Sequence, residues 1–185
     1  IVYARQYPSR GDYAFIERVS GVLALETVRV LKSLEYADTV TLSGKMADVE
    51  VGVRRPGGEE LAAAVKLVGE NPGNEYKDRA QIYARETVYM SRYPASRRVP
   101  VQALRIGDVG IGTFPGETFV ELGMAVKKAS PQKVAMAISI ANDACGYTPT
   151  AEAFDMGGYE TWRAKSAYVE RDAGTKMVAA LTRIL

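Results

Sequence analysis

The chain has 185 residues, 47% of them hydrophobic and 25% charged, the proportions of a globular protein with a real core. Twenty-four Lys and Arg against 22 Asp and Glu leave a charge of +2, which argues against a general nucleic-acid binder or a polybasic membrane binder. Histidine is absent and Cys145 is the one cysteine, so no Ser-His-Asp triad, Cys-His pair, His-ligated metal site, disulfide or cysteine-built zinc site is complete within these residues.

The chain opens Ile1-Val-Tyr-Ala-Arg-Gln-Tyr, with neither an initiator Met nor the basic and apolar regions of a signal peptide. We expect it to be the later part of a longer protein. An extended lead ends at Ser9-Arg10-Gly11-Asp12, and Asp12 is a candidate N-cap. From Tyr13 to Leu34, Phe15, Val19, Val22, Leu23, Val30, Leu31 and Leu34 recur at helical spacing. Leu25 and Val28 fall outside that stripe, which predicts burial on more than one side. Thr39 to Ser43 and Ala47 to Val53 read as strands, the second alternating at Val49, Val51 and Val53. Gly44-Lys45 between them suggests a hairpin. Arg54-Arg-Pro-Gly-Gly58 is a break. Glu59 to Val68 is helical with Leu61, Val65 and Val68 on one face, ended by Asn71-Pro-Gly-Asn74. A more polar helix runs from Tyr76 to Arg92.

The second half alternates differently. Val99 to Ile106 and Val109 to Phe114 read as strands about a Gly107-Asp108 turn. Pro115-Gly-Glu117 follows, then a helix from Thr118 to Ala129 with Phe119, Leu122 and Val126 inward. Val134 to Ala141 is a near-continuous apolar run, the pattern of a strand buried on both faces. It is far too short to span a bilayer. After a loop from Asn142 to Thr150 comes a helical turn at Ala151 to Met156, with Thr150 as its cap, and an amphipathic helix closes the chain. The mixture is α/β: a mixed sheet with helices packed outside, in the manner of a layered α/β sandwich.

Gly110-x-Gly112 is followed by glycine only at Gly116, which is the wrong spacing for a dinucleotide fingerprint, and no phosphate loop occurs. These glycines read as structural. Cys145 has no histidine to activate it and reads as a small buried residue. Arg92, Arg97 and Arg98 read as a solvated basic loop. Glu117 lies where a strand feeds a helix. It either complements the positive end of that helix or belongs to a ligand site at a strand's carboxyl end. Tyr147 and Tyr159, twelve residues apart, share such a neighbourhood. No periodicity rule names a reaction for this trio.

Ile106-Gly-Asp-Val-Gly-Ile-Gly-Thr-Phe-Pro-Gly-Glu117 is similar to the strand and P-G-E turn of the neutral/alkaline ceramidase family. Asn142-Asp-Ala-Cys-Gly-Tyr147-Thr-Pro-Thr150 resembles that family's N-x-x-x-x-Y segment, and Tyr159-Glu160 its later Y-E dipeptide. The resemblance covers about residues 99–185 and makes the chain the C-terminal portion of a ceramidase-like catalytic domain. It implies a zinc amidase that hydrolyses the N-acyl bond of ceramide-like lipids with a metal-activated water. Glu117 and Tyr147 would be zinc ligands, and Tyr159 would hydrogen-bond near the reacting carbonyl. The two histidine ligands would come from the N-terminal part of the same protein, leaving this chain inactive alone. The family also implies a lipid amide as partner, contact with a membrane surface through that substrate, and a secreted or periplasmic setting. A related metal-dependent hydrolase of another amide or ester remains open, as does a non-catalytic α/β binding or scaffold module. Glu117 and Tyr147 are thirty residues apart, so adjacent parallel strands joined by the intervening helix would have to bring them together.

Overall fold

The computed structural model describes residues 13–69, 76 and 78–185. It divides into two compact units, Ile1–Val40 and Thr41–Leu185. The described part of the first unit contains one helix, α1 (Ala14–Leu31), whose N-cap Tyr13 makes no side-chain capping bond. The expected cap, Asp12, lies outside the described residues. Burial on more than one side is not found, because no residue of α1 is buried. Apolar stripes on a helix need a second element to cover them, and the described part of this unit holds none.

The second unit is built on a four-stranded sheet of β1 (Leu42–Gly52), β2 (Ser96–Ile106), β3 (Val109–Thr113) and β5 (Val134–Ile138), side by side in that order. Strand β1 pairs antiparallel with β2 along its whole length, from Leu42 opposite Ile106 to Gly52 opposite Ser96. The hairpin expected at Gly44-Lys45 is therefore replaced by one continuous strand. Gly44 lies opposite Leu104, and a Cβ there would come within 2.9 Å of the Leu104 Cδ2. Gly44 thus sits inside a strand facing Leu104 and not in a turn. The expected hairpin between β2 and β3 (Val109–Thr113) does form, with Gly107 at φ +57°. Two short strands follow the sheet, β4 (Glu117–Thr118) and, later, β6 (Tyr147–Thr148), which pair in parallel.

Helix α2 (Gly58–Gly69) packs on α3 (Arg79–Met90). Its contact stripe centres on Ala64, which is buried, whereas Val65 is 52% exposed, so the expected face is rotated. The Asn71–Asn74 stop lies outside the described residues. Helix α3 starts at Arg79 instead of Tyr76 because the Asp78 carboxylate accepts from the Gln81 amide at 2.9 Å and caps it.

Helices α4 (Val120–Ala129) and α6 (Ala173–Ile184) cover one face of the sheet. Val49 and Val51 of β1 and Val99 and Val101 of β2 point into that layer and meet Leu122, Val126, Met177 and Leu181. On β3 the matching position is Gly112, whose Cβ would lie 3.0 Å from Val126 and 3.6 Å from Leu181. This glycine lets the helices sit close, which agrees with a structural reading of the glycine-rich run.

Among the described residues of this unit the opposite face is largely open, although Thr113 on it is buried. Its side chains form three cross-strand rows: Leu42, Ile106, Val109 and Val134; Gly44, Leu104, Ile111 and Met136; Met46, Gln102, Thr113 and Ile138. Strand β5 (Val134–Ile138) pairs only with β3, in parallel, and forms the sheet's edge. Val134, Met136 and Ile138 are 49%, 47% and 43% exposed. The burial of this strand on both faces, expected from its apolar run, is thus corrected: Ala135 and Ala137 turn toward the helices, and the bulky residues alternate with them toward the open face. Among the described residues no helix is long and apolar enough to cross a membrane.

Candidate active site

Past β3 the chain runs between two neighbours. The Phe114 amide donates to the Ile138 carbonyl and the Ile140 amide to the Gly116 carbonyl on one side. On the other side Cys145 N–H donates to Pro115 O, Glu117 N–H to Gly146 O at 2.9 Å, and Phe119 N–H to Thr148 O. The fit is tight at Gly116, where a Cβ would fall against the Gly146 carbonyl and within 2.7 Å of the Thr148 Oγ1. Gly146 itself sits at φ +75° against Ser166, a conformation and a clearance that L side chains do not supply.

This ladder places the candidate residues together. Glu117 and Tyr147 are register partners in parallel strands, so their side chains leave the same face side by side. Strand β5 and helix α4 make the connection between them, as a parallel pairing requires. Tyr159 opens a 3₁₀ turn (Tyr159–Thr161), and its ring meets Tyr147 edge-on, with centroids 5.5 Å apart and planes at 87°. The Tyr147 phenol is pushed up to about 12 by its hydrogen bond to Tyr159, then by burial, then by the Glu117 carboxylate, which also bonds to it. Each of these favours the protonated phenol. Glu117 is exposed and Tyr159 is 56% exposed, so the trio opens to solvent. A groove of about 290 Å³ lined by Phe114, Thr118, Phe119, Val120, Met124 and Lys127 includes none of the three.

Glu117 stands three residues ahead of α4, and the acidic residue in that helix's first turn is Glu121. Glu117 therefore lies outside that helix's first turn.

The loop that carries Tyr147 is anchored from behind. The Asp143 carboxylate accepts two bonds from the Arg97 Nη2, at 2.7 and 2.6 Å, and Arg97 also donates to the Tyr168 hydroxyl. Arg97 is therefore a tied strand residue and not part of a solvated loop. The phenol of Tyr168, 3% exposed, gives the arginine a partner that only the fold brings near. Cys145 is fully buried as expected, and burial pushes its thiol up. Thr150 caps α5 (Ala151–Met156) by accepting from the Ala153 amide at 3.2 Å. The Tyr147 amide donates to the Ser166 carbonyl at 2.7 Å. Sequence reading misses the partners on the far side: Glu86, buried in α3 and accepting from the Lys165 amide, and Arg54, read as part of a break. Neither carries a local signal, since each acts across more than 70 residues.

Among the described residues no group of three or more His, Cys, Asp and Glu could hold a metal ion. Glu117 and Tyr147 are two adjacent oxygen donors. A zinc ion takes about four ligands and accepts oxygen among them, so these residues fit half of a zinc shell.

No family model and no curated protein matches the chain. Solved structures do. A neutral ceramidase from Pseudomonas aeruginosa is 18% identical at a TM-score of 0.48, over 78% of this chain and 28% of that one. A ceramidase complexed with C2 is 17% identical at the same TM-score, over 78% and 29%. The chain thus spans less than a third of the length of these proteins. A likeness of that size is too slight to carry their chemistry over.

Proposed function

We propose that this chain is the C-terminal portion of a ceramidase-like catalytic domain and supplies the oxygen-donor half of a zinc amidase site. What supports the reading is one juxtaposition. Glu117, Tyr147 and Tyr159, singled out by three separate motifs, lie together at paired strand ends. Glu117 and Tyr147 would hold the metal, with two histidines from the N-terminal part of the protein completing the shell. Bound there, zinc supplies an acidified water and a polarised carbonyl for amide hydrolysis. The residues of this chain do the rest. Tyr147 would ligate as the phenolate, releasing to solvent the proton that its neighbours otherwise favour. Tyr159, more than half exposed, donates a hydrogen bond to the oxygen on which charge develops. The substrate class is an N-acyl amide of a ceramide-like lipid, which the enzyme meets at a membrane surface.

The test uses the full-length protein. It should carry about one zinc per catalytic domain, and Glu117→Ala and Tyr147→Phe should each lower that content. Unchanged zinc in both variants overturns the site. N-acyl sphingosine, simple amides and simple esters are then offered in parallel. Cleavage of the first supports the amidase, cleavage of simple esters alone points to a related hydrolase, and bound zinc with no cleavage points to a scaffold.

A further inference from the structure

Arg54 lies two residues beyond Gly52, the last residue of the β1 ladder, in a stretch whose Pro and Gly mark a break. Its side chain does not go to solvent. The Nε donates to the Val169 carbonyl at 3.0 Å, the Nη1 to the Thr161 carbonyl at 2.8 Å and the Nη2 to the Ala167 carbonyl at 2.6 Å. The guanidinium carbon lies 4.8 Å from the centre of the Phe154 ring, stacked on α5. All three nitrogens are thus spent on backbone carbonyls, and no carboxylate is among these partners.

The places it grips matter more than their number. Thr161 closes the 3₁₀ turn that begins at Tyr159, and its hydroxyl donates to the Gly158 carbonyl at 2.8 Å. Ala167 bridges to Gly146, and its neighbour Ser166 accepts from the Tyr147 amide. One planar fork therefore holds the arm that leads from Tyr159 and the arm against which Tyr147 is set. The second arm is also fixed by main-chain bonds, Arg54 N–H to Tyr168 O and Glu170 N–H to Gly52 O. The Thr161 arm is tied to the second arm by the Ala164–Ala167 bridge and to the helices through Arg163, which donates to Glu60 and Thr87; among the described residues the bond that joins Thr161 itself to the end of β1 is the guanidinium's.

We propose that Arg54 is a positioning residue that sets the contact between the Tyr159 and Tyr147 rings. A lysine cannot replace it, because a single ammonium does not present three donors in the fixed plane that these carbonyls occupy. Its significance for catalysis rests on the amidase reading above; its effect on the two rings does not.

The experiment separates the two. In the full-length protein, 3-fluorotyrosine is placed at position 159 and its fluorine resonance recorded. The same label in a Tyr147→Ala background gives the resonance of this ring without its partner. Arg54→Met should move the resonance most of the way to that reference, and Arg54→Lys should move it part of the way. In both, zinc content and KM stay near wild type while kcat for N-acyl sphingosine falls by about 10- to 100-fold, the cost of a misplacement of about 1 Å. A folded Arg54→Met protein with the wild-type resonance overturns the proposal. Should Arg54→Met fail to fold, a wild-type resonance in Arg54→Lys overturns it instead. A displaced resonance in a protein that cleaves no amide leaves Arg54 as the positioner and removes the amidase. Full amide cleavage with an undisplaced resonance does the reverse.

Discussion

Tyr147 lies beside a phenol and a carboxylate that both favour its protonated form. Its ionisation lies near 12, above the ordinary phenol value of 10.0, so the folded state binds that proton more tightly than the unfolded chain. The stabilising effect is therefore complete below the unfolded value and fades as pH rises from there through about 12. In metal-free protein, subtracting the phenolate absorbance of Tyr147→Phe from wild type should leave a titration centred near 12. Tyr159→Phe should shift that difference curve toward lower pH, because it removes the largest of the causes. A curve centred at the ordinary value in wild type would contradict the raised ionisation. At this scale the sequence is informative where chemistry is concentrated in short motifs. It names Glu117, Tyr147 and Tyr159, and the fold places them side by side. It is silent on Arg54 and Glu86, whose partners lie far along the chain and leave no local pattern.

Among the elements, α6 and β5 make opposite uses of apolar residues. Leu181 of α6 is fully buried beneath Gly112, whereas Met136 of β5 is 47% exposed on the uncovered face. Leu181→Ala should destabilise the chain by about 2–5 kcal/mol, and Met136→Ala by about 0.5 kcal/mol or less. Urea midpoints at equal slope measure the difference. Equal losses would mean that the open face is covered after all. The two misread strands have related causes. In β5 the run of apolar residues alternates bulky with small, and only the small ones meet helices of this unit. In β1 a glycine that faces Leu104 looks, without its partner strand, like a turn. Periodicity reports which side chains avoid water, but not which neighbour lets them do so. By contrast the β2–β3 hairpin needs nothing beyond its own turn, and it is legible.

Among the described residues of Thr41–Leu185, one sheet face is a core and the other leaves Leu42, Met46, Ile106, Val134, Met136 and Ile138 exposed. Contiguous exposed apolar surface of this kind is uncommon in a self-sufficient domain. The 185-residue chain prepared alone should bind a hydrophobic dye such as ANS at neutral pH while keeping a cooperative unfolding transition. Ile111→Lys together with Met136→Lys should suppress the dye signal and leave the urea midpoint nearly unchanged. Dye binding that persists in the double variant would place the exposed surface elsewhere, for instance on α1, none of whose residues is buried.

The close approach at Gly116 has a consequence for fidelity. A two-residue ladder such as β4 with β6 is short enough to slip, and a slip of one residue would put Thr118 or Gly116 beside Tyr147. The space against the Gly146 carbonyl admits a residue without a side chain and no other. Glu117 cannot step back into it, and Pro115 cannot step forward into it. The pairing therefore has one setting, and in that setting a carboxylate stands beside a phenol in every copy of the protein that folds.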